Sequence, residues 1–268
     1  MIQFPAIDPV AFTLGPVAVH WYGLAYIAGI GIGWWVLGRR AASRGWTPDA
    51  VADLVFYAAL GAVLGGRIGY MVFYNFADFV AAPWSVLAVW RGGMSFHGGL
   101  LGMVVALTWF GRRRGRGFFA CADFVVPVVP IGLGLGRVAN FVNQELWGAP
   151  TTLPWGVLFT HPAAAGVARH PTQLYEALLE GVVLYVILAA LDRRQRPAGH
   201  LLAWCLIFYA VFRIAVEFVR EPDQHIGYLA WGWLTMGQVL SAPVLVAGLL
   251  ILCLKREVAG SKPAVEQA

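Results

Sequence analysis

Seven stretches of this chain are apolar over about the length that a bilayer crossing demands. A hydrocarbon core about 30 Å thick takes roughly 20 residues of helix. The stretches are residues 17–37, 51–75, 94–110, 119–136, 174–191, 201–219 and 234–254. Composition agrees: of 268 residues, 59% are hydrophobic and only 12% are charged, against about a quarter charged in ordinary soluble domains. Disordered segments, coiled coils and soluble enzymes are excluded on that basis. The expected fold class is an all-α polytopic membrane protein, one integral membrane domain over 1–268. A small outward-facing head segment is expected over about 140–171.

Basic residues orient the spans. Residues 1–16 lack a basic n-region, and the first apolar stretch is too long for the h-region of a cleaved signal peptide. Arg39, Arg40 and Arg44 follow the first stretch; Arg112, Arg113, Arg114 and Arg116 follow the third. Arg193, Arg194 and Arg196 follow the fifth, and Lys255, Arg256 and Lys262 follow the seventh. These are thirteen of the nineteen Lys and Arg. Under the positive-inside rule, those connections are cytoplasmic, the N-terminus is outside and the C-terminus inside. The other six are Arg67, Arg91, Arg137, Arg169, Arg213 and Arg220.

The net charge of +5 is therefore a topological signal suited to anionic membrane lipids, and no nucleic-acid partner is expected. No Gly-rich phosphate loop, haem motif or Cys/His ligand cluster occurs, so neither metal nor cofactor is expected. Cys121, Cys205 and Cys253 are scattered and read as small apolar fillers.

Ionisable groups inside a bilayer are expensive and point to function. Spans two, four and six run outward, and each carries an arginine in its outer part: Arg67, Arg137 and Arg213. Spans three and five run inward, with His97, Glu176 and Glu180 placed early. Only Asp53 and Asp123, at inner ends, depart from this level, and one shared outer site is the economical explanation. Tyr209, Arg213 and Glu217 recur at i, i+4, i+8, a single stripe. Glu176 and Glu180 are also four apart. Arg137, Asn140 and Gln144 share a face if helix continues that far. Glycines flank Arg67 and Arg137, where small residues admit close approach.

Each residue has a bland alternative. Arg67 would serve equally as an interhelical ion pair, and Glu176 and Glu180 as packing partners or counter-ions. His97 would be a satisfied interfacial histidine, and Arg213 with Glu217 an internal pair. His161 and Arg169 read as solvated loop residues. Arg137 and Arg213 at equal depth suit an anionic phosphate at head-group level. With one imidazole nearby they suggest a phospholipid substrate and proton transfer. No Ser stands in a nucleophile-elbow context and no Cys reaches the outer site, so the nucleophile belongs to a second substrate. A transporter for an anionic lipid and a non-catalytic scaffold remain alternatives.

At these residues the sequence resembles a known family. GRVANFVNQELWG, residues 136–148, resembles the signature of the prolipoprotein diacylglyceryl transferases, bacterial inner-membrane enzymes. HWYGLAY (20–26), GGRIGY (65–70), GGMSFHGGLLG (92–102), RHPTQLYEA (169–177) and FRIAVEFVREPD (212–223) are similar to further family blocks, in family order. The resemblance implies transfer of a diacylglyceryl group from phosphatidylglycerol to the lipobox cysteine of a prolipoprotein, releasing glycerol 1-phosphate. It would place the active site at the periplasmic side of the inner membrane. It implies Arg137, Asn140, Glu145 and Gly148 as phosphatidylglycerol-binding and Tyr22, Tyr209 and Glu217 as further positions the family relies on; with the physical reading, Arg67 joins the expected binding set, and His97, Arg137, Arg213, Tyr22, Tyr209 and Glu217 are the expected catalytic residues. His97 is the candidate base for the thiol. The outward segment, with about 14 residues between Trp155 and Arg169, is shorter than in many relatives.

Overall fold

The computed structural model describes residues 1–88, 92–194, 196–222 and 227–260, the side chains of 256–260 excepted. Arg91, Asp223 and Lys262, named above, lie outside the described residues. The chain is mostly helical. Short strands β1 (Ile2–Gln3), β2 (Val10–Leu14) and β3 (Val17–His20) precede α1 (Trp21–Ala41). Then come α2 (Pro48–Phe73), α3 (Phe76–Ala81), α4 (Phe96–Arg113), α5 (Phe118–Val125) and α6 (Val129–Val142). Strands β4 (Val157–Leu158) and β5 (Ala168–Arg169) lead to α7 (Thr172–Glu176). A π-helical segment, Ala177–Val183, joins α7 to α8 (Leu184–Asp192), and α9 (His200–Glu217) and α10 (Met236–Gly260) complete the chain.

Six helical segments are long and apolar enough to cross a membrane: Trp21–Arg44, Pro48–Phe73, Phe118–Val142, Thr172–Asp192, His200–Glu217 and Met236–Lys255. Each coincides with an expected span. The remaining one, 94–110, is the helix α4 of 18 residues. His97 at one end and Arg112 and Arg113 at the other lower its hydropathy. Large apolar side chains such as Ile27, Trp35, Phe56, Leu101 and Leu250 are more than half exposed, a surface that suits lipid and not water.

Three boundaries differ from expectation for identifiable reasons. Residues 17–20 are apolar but form a hairpin with β2, closed by a two-residue turn at Gly15–Pro16 in which Gly15 takes φ +58°, the left-handed conformation glycine tolerates best. Helix α6 ends at Val142, capped by Asn143, and Gln144 has φ +52°. Gln144 is therefore off the Arg137–Asn140 face. The head segment contributes strands, so the all-α expectation needs a small β component: β1, β4 and β5 form one sheet and β2–β3 a second.

The chain divides into two compact units, one of Met1–Gly33 with Val125–Ala268 and one of Trp34–Phe124. In the first, β1 pairs parallel with β4 through Ile2↔Val157 and Gln3↔Leu158. Phe4, Val157, Phe159 and Ala164 make a small core there, with Phe141 and Trp147 against it. A second cluster joins Val126, Leu184, Leu188 and Cys205, where the buried thiol is a filler. In the other unit α2 and α4 pack through a glycine seam. A Cβ on Gly69 would come within 2.8 Å of the Gly98 Cα, and one on Gly65 within 2.8 Å of the Gly102 Cα. Backbones in contact at this range are what small residues at four-residue spacing allow.

Candidate active site

The candidate site of the first unit begins with glycines. Gly134 of α6 meets Gly181 of the π segment so closely that a Cβ on Gly181 would be 2.8 Å from the Gly134 Cα. Arg137 lies one turn beyond Gly134, and Glu180 is the residue before Gly181, so this contact brings the two side chains together. Gly29 of α1 touches Gly132 of α6 in the same way, its Cβ position 3.2 Å from the Gly132 Cα. Tyr22, two turns before Gly29, thereby joins Arg137's electrostatic surroundings. The Tyr22 and Tyr26 rings stand 5.2 Å apart.

Glu176 is the hub. Its Oε2 lies 3.1 Å from the Arg137 Nε. Its Oε1 accepts hydrogen bonds from Arg213 and, at 3.1 Å, from the Arg220 Nη1. Glu180 lies 3.6 Å from the Arg137 Nη2. Both carboxylates are fully buried. Glu217 pairs with Arg213 four residues earlier, and its Oε1 is 3.5 Å from the Arg220 Nε. Tyr209 shares the electrostatic surroundings of Glu180, Arg213 and Arg137. Three arginines and three glutamates thus form one network, its glutamates and Arg220 buried and Arg137 and Arg213 partly so, the arrangement that makes buried ions tolerable.

The start of α10 secures Glu217. Thr235 caps that helix: its Oγ1 accepts from the Gln238 backbone N–H at 3.3 Å, and Gln238 Oε1 accepts from the Thr235 N–H at 3.0 Å, a reciprocal capping box. The Thr235 hydroxyl donates to Glu217 Oε2. Gly237 leaves the room, since a Cβ there would sit 2.5 Å from the Glu217 carboxyl carbon.

Asn140 and Glu145 also come together, Asn140 Nδ2 donating to Glu145 Oε1 at 2.7 Å. Gln173 and Thr172 hold the loop after α6 by donating to the carbonyls of Glu145 and Leu146 at 2.6 and 2.9 Å. Gly148 is a pinch point. Its N–H donates to the His170 carbonyl at 2.8 Å, and a Cβ would strike the Val219 carbonyl, the His170 Cβ and the Thr172 Cγ2. Through a bridge between Gly148 and Arg220, this glycine draws the chain after α9 inward and sets Arg220 on Glu176.

Arg169 is a correction to its reading as a solvated loop residue. It is buried, and donates to Glu221 Oε2 at 2.6 Å and to the Ala164 carbonyl at 3.0 Å. Trp147 Nε1 shares that Glu221 oxygen at 2.9 Å. His161 is exposed, as expected, and its Nδ1 accepts from the Ala163 N–H. Burial pushes the His170 imidazole below its ordinary pKa. Burial and then the neighbouring Arg213 draw down Arg220, while Glu176 and Glu217 hold its charge.

Arg67 and His97 belong to the second unit. Arg67 donates to the carbonyls of Val86 at 3.2 Å, Ser85 at 2.8 Å, Gly93 at 3.1 Å and Gly92. Four of its five N–H groups are thus engaged by backbone. His97 sits in the first turn of α4, exposed, edge-on to Phe96 at 5.6 Å. Ser95 caps that helix by accepting from the Gly98 N–H at 3.2 Å.

Sequence reasoning missed Arg220, which lies past the apolar run and reads as loop; its i+3 spacing from Glu217 was the available signal. Among the described residues no group of three His, Cys, Asp or Glu side chains is placed to hold a metal ion.

A family model described as prolipoprotein diacylglyceryl transferase matches residues 9–254. A phosphatidylglycerol–prolipoprotein diacylglyceryl transferase of Pseudomonas syringae pv. tomato (strain ATCC BAA-871 / DC3000) is 49% identical over 271 residues, covering 99% of this chain and 100% of its own length. The protein of the same name from Ectopseudomonas mendocina (strain ymp) is 52% identical over 252 residues, 93% of this chain and 94% of its own. That from Pseudomonas aeruginosa (strain LESB58) is 50% identical over 269 residues, 98% and 100% of the two chains.

Proposed function

The chain belongs to the prolipoprotein diacylglyceryl transferase family, and from that premise we propose that it transfers the diacylglyceryl group of phosphatidylglycerol to the lipobox cysteine of a prolipoprotein. A thioether forms between the cysteine sulfur and the glyceryl carbon, the bond from that carbon to the phosphate oxygen breaks, and glycerol 1-phosphate leaves. The observation that carries this reading is the convergence of Arg137 and Arg213, from different helices, on the single buried carboxylate of Glu176. Glu176 holds the two forks in register. The Nη1 of Arg137 has no hydrogen-bond partner among the described residues, so its N–H groups are open to a phosphate oxygen. Preorganised donors of this kind stabilise charge that grows on a leaving group.

In this reading Arg137 and Arg213 bind the phosphate, Glu217 holds Arg213, and Tyr22, Tyr209 and Asn140 orient head-group oxygens. Glu145 fixes Asn140, and Gly148 shapes the loop. His97 takes the thiol proton, since the thiolate is the nucleophile; that role rests on the sequence argument. The lipid contact of Arg67 would use the one N–H that no described residue takes. We further propose seven spans in one membrane domain of a bacterial plasma membrane, with the N-terminus and the site on the periplasmic side and the C-terminus in the cytoplasm. The β1–β4 pairing supports that topology by tying the N-terminus to the segment between α6 and α7.

The test is purified protein supplied with phosphatidylglycerol and a peptide bearing a lipobox cysteine. Glycerol phosphate and a thioether-linked peptide are expected. His97→Gln should retain lipid binding and slow the transfer. Lipid crossing the membrane with no thioether formed would favour an anionic-lipid transporter instead.

A further inference from the structure

Among the described residues the ion pairs around Arg137 balance: Arg137, Arg213 and Arg220 face Glu176, Glu180 and Glu217. A phosphodiester adds one negative charge. In a buried site an uncompensated charge is costly, and a carboxyl that can take a proton relieves it. Two of the three carboxylates are firmly held. Glu176 meets all three arginines, and Glu217 meets Arg213, Arg220 and the Thr235 hydroxyl.

Glu180 is different. It is fully buried, neither of its oxygens accepts a hydrogen bond among the described residues, and its ion-pair contact there is the 3.6 Å approach to Arg137 Nη2. It stands on the π-helical segment, a backbone irregularity frequent at functional sites. The guanidinium it faces keeps its Nη1 without a hydrogen-bond partner among the described residues, open to a phosphate. Among the described residues, the charged and titratable groups that act on it are Arg137 from α6, Glu176 from α7, Tyr209 and Arg213 from α9, and Arg220 beyond, with Glu217 reaching it through Arg213 and Arg220. Tyr22 and Tyr26 of α1 belong to the electrostatic surroundings of Arg137.

We infer that Glu180 is a positioning residue that takes up one proton when an anionic phosphodiester docks on Arg137 and releases it when the site empties. This rests on the phosphatidylglycerol reading above. The phosphodiester oxygens replace the Glu180 carboxylate beside Arg137 Nη2, a proton from solvent passes to a Glu180 oxygen, and the network stays neutral. Lipid affinity must then fall as pH rises, because the bound state holds one more proton than the free state. The limiting slope is about tenfold in Kd per pH unit.

The full-length protein in detergent micelles is titrated with short-chain phosphatidylglycerol, without peptide, from mildly acidic to mildly alkaline buffers. Wild-type Kd should rise with pH towards that slope, and Glu180→Gln, a standing mimic of the neutral acid, should bind tightly with a flat profile. Calorimetry in buffers of different ionisation enthalpy reads the proton directly: up to one taken up per lipid by wild type, none by the variant. An equal slope in both proteins, or wild-type binding without proton uptake, overturns the inference and leaves the functional reading standing. The calorimetric result on wild type decides even where the variant fails to fold. Wild type that binds no phosphatidylglycerol at any pH overturns both.

Discussion

Glu176 and Glu180 sit four residues apart, are equally buried and face the same arginine, yet opposite consequences follow from neutralising them. Glu176 is the shared counter-ion of Arg137, Arg213 and Arg220. Glu176→Gln keeps the shape and removes the charge, leaving three cations crowded with one anion fewer. Breaking a buried pair of this kind costs about 3–5 kcal/mol. Thermal unfolding in micelles should show a clearly lowered midpoint together with lost transfer; an unchanged midpoint would refute the hub role. At this scale the sequence was partly legible. The Tyr209–Arg213–Glu217 stripe follows helical spacing on α9 and is found there. Beyond its i+3 spacing from Glu217, the place of Arg220 on Glu176 was not legible, nor was the pairing of Arg169 with Glu221, because both depend on the Gly148 loop drawing distant segments together. Gln144 was misplaced because a non-glycine residue at positive φ ends the helical face, and spacing cannot foresee that.

At the scale of elements, glycines decide which helices touch. In the α2–α4 pair, a Cβ on Gly102 would fall against the Gly61 carbonyl and the Gly65 Cα. Gly102→Leu should force the helices apart. Overpacking of a tight contact costs typically about 1–3 kcal/mol, and more where backbone must move. The expected result is a lower unfolding midpoint and a poor yield of folded protein; wild-type behaviour would mean the seam is loose. Apolar runs announced the long helices well, since hydropathy and length act together in a bilayer. They failed where another structure uses the same residues: Val17–His20 is apolar yet pairs as a strand. The π segment was invisible, because a change of one residue per turn leaves no mark in composition. It nevertheless carries Glu180 to Arg137.

For the whole molecule, scarce charge is the governing fact. Thirteen of nineteen basic residues follow the first, third, fifth and seventh apolar stretches, and of the rest Arg137, Arg213 and Arg220 are gathered in one largely buried network. That network is the proposed phosphate site of the lipid-to-thiol transfer. Arg137→Ala removes the fork proposed to meet the phosphate. It leaves Glu176 with Arg213 and Arg220, and Glu180 relieved by protonation, so the protein should still insert and fold. Loss of a transition-state donor costs about 100- to 1000-fold in rate. Turnover of the purified Arg137→Ala protein with phosphatidylglycerol and a lipobox peptide is the most direct measurement. A folded variant working at about 1% of wild type or less is the expected result; a folded variant within a few-fold of wild type would contradict the account.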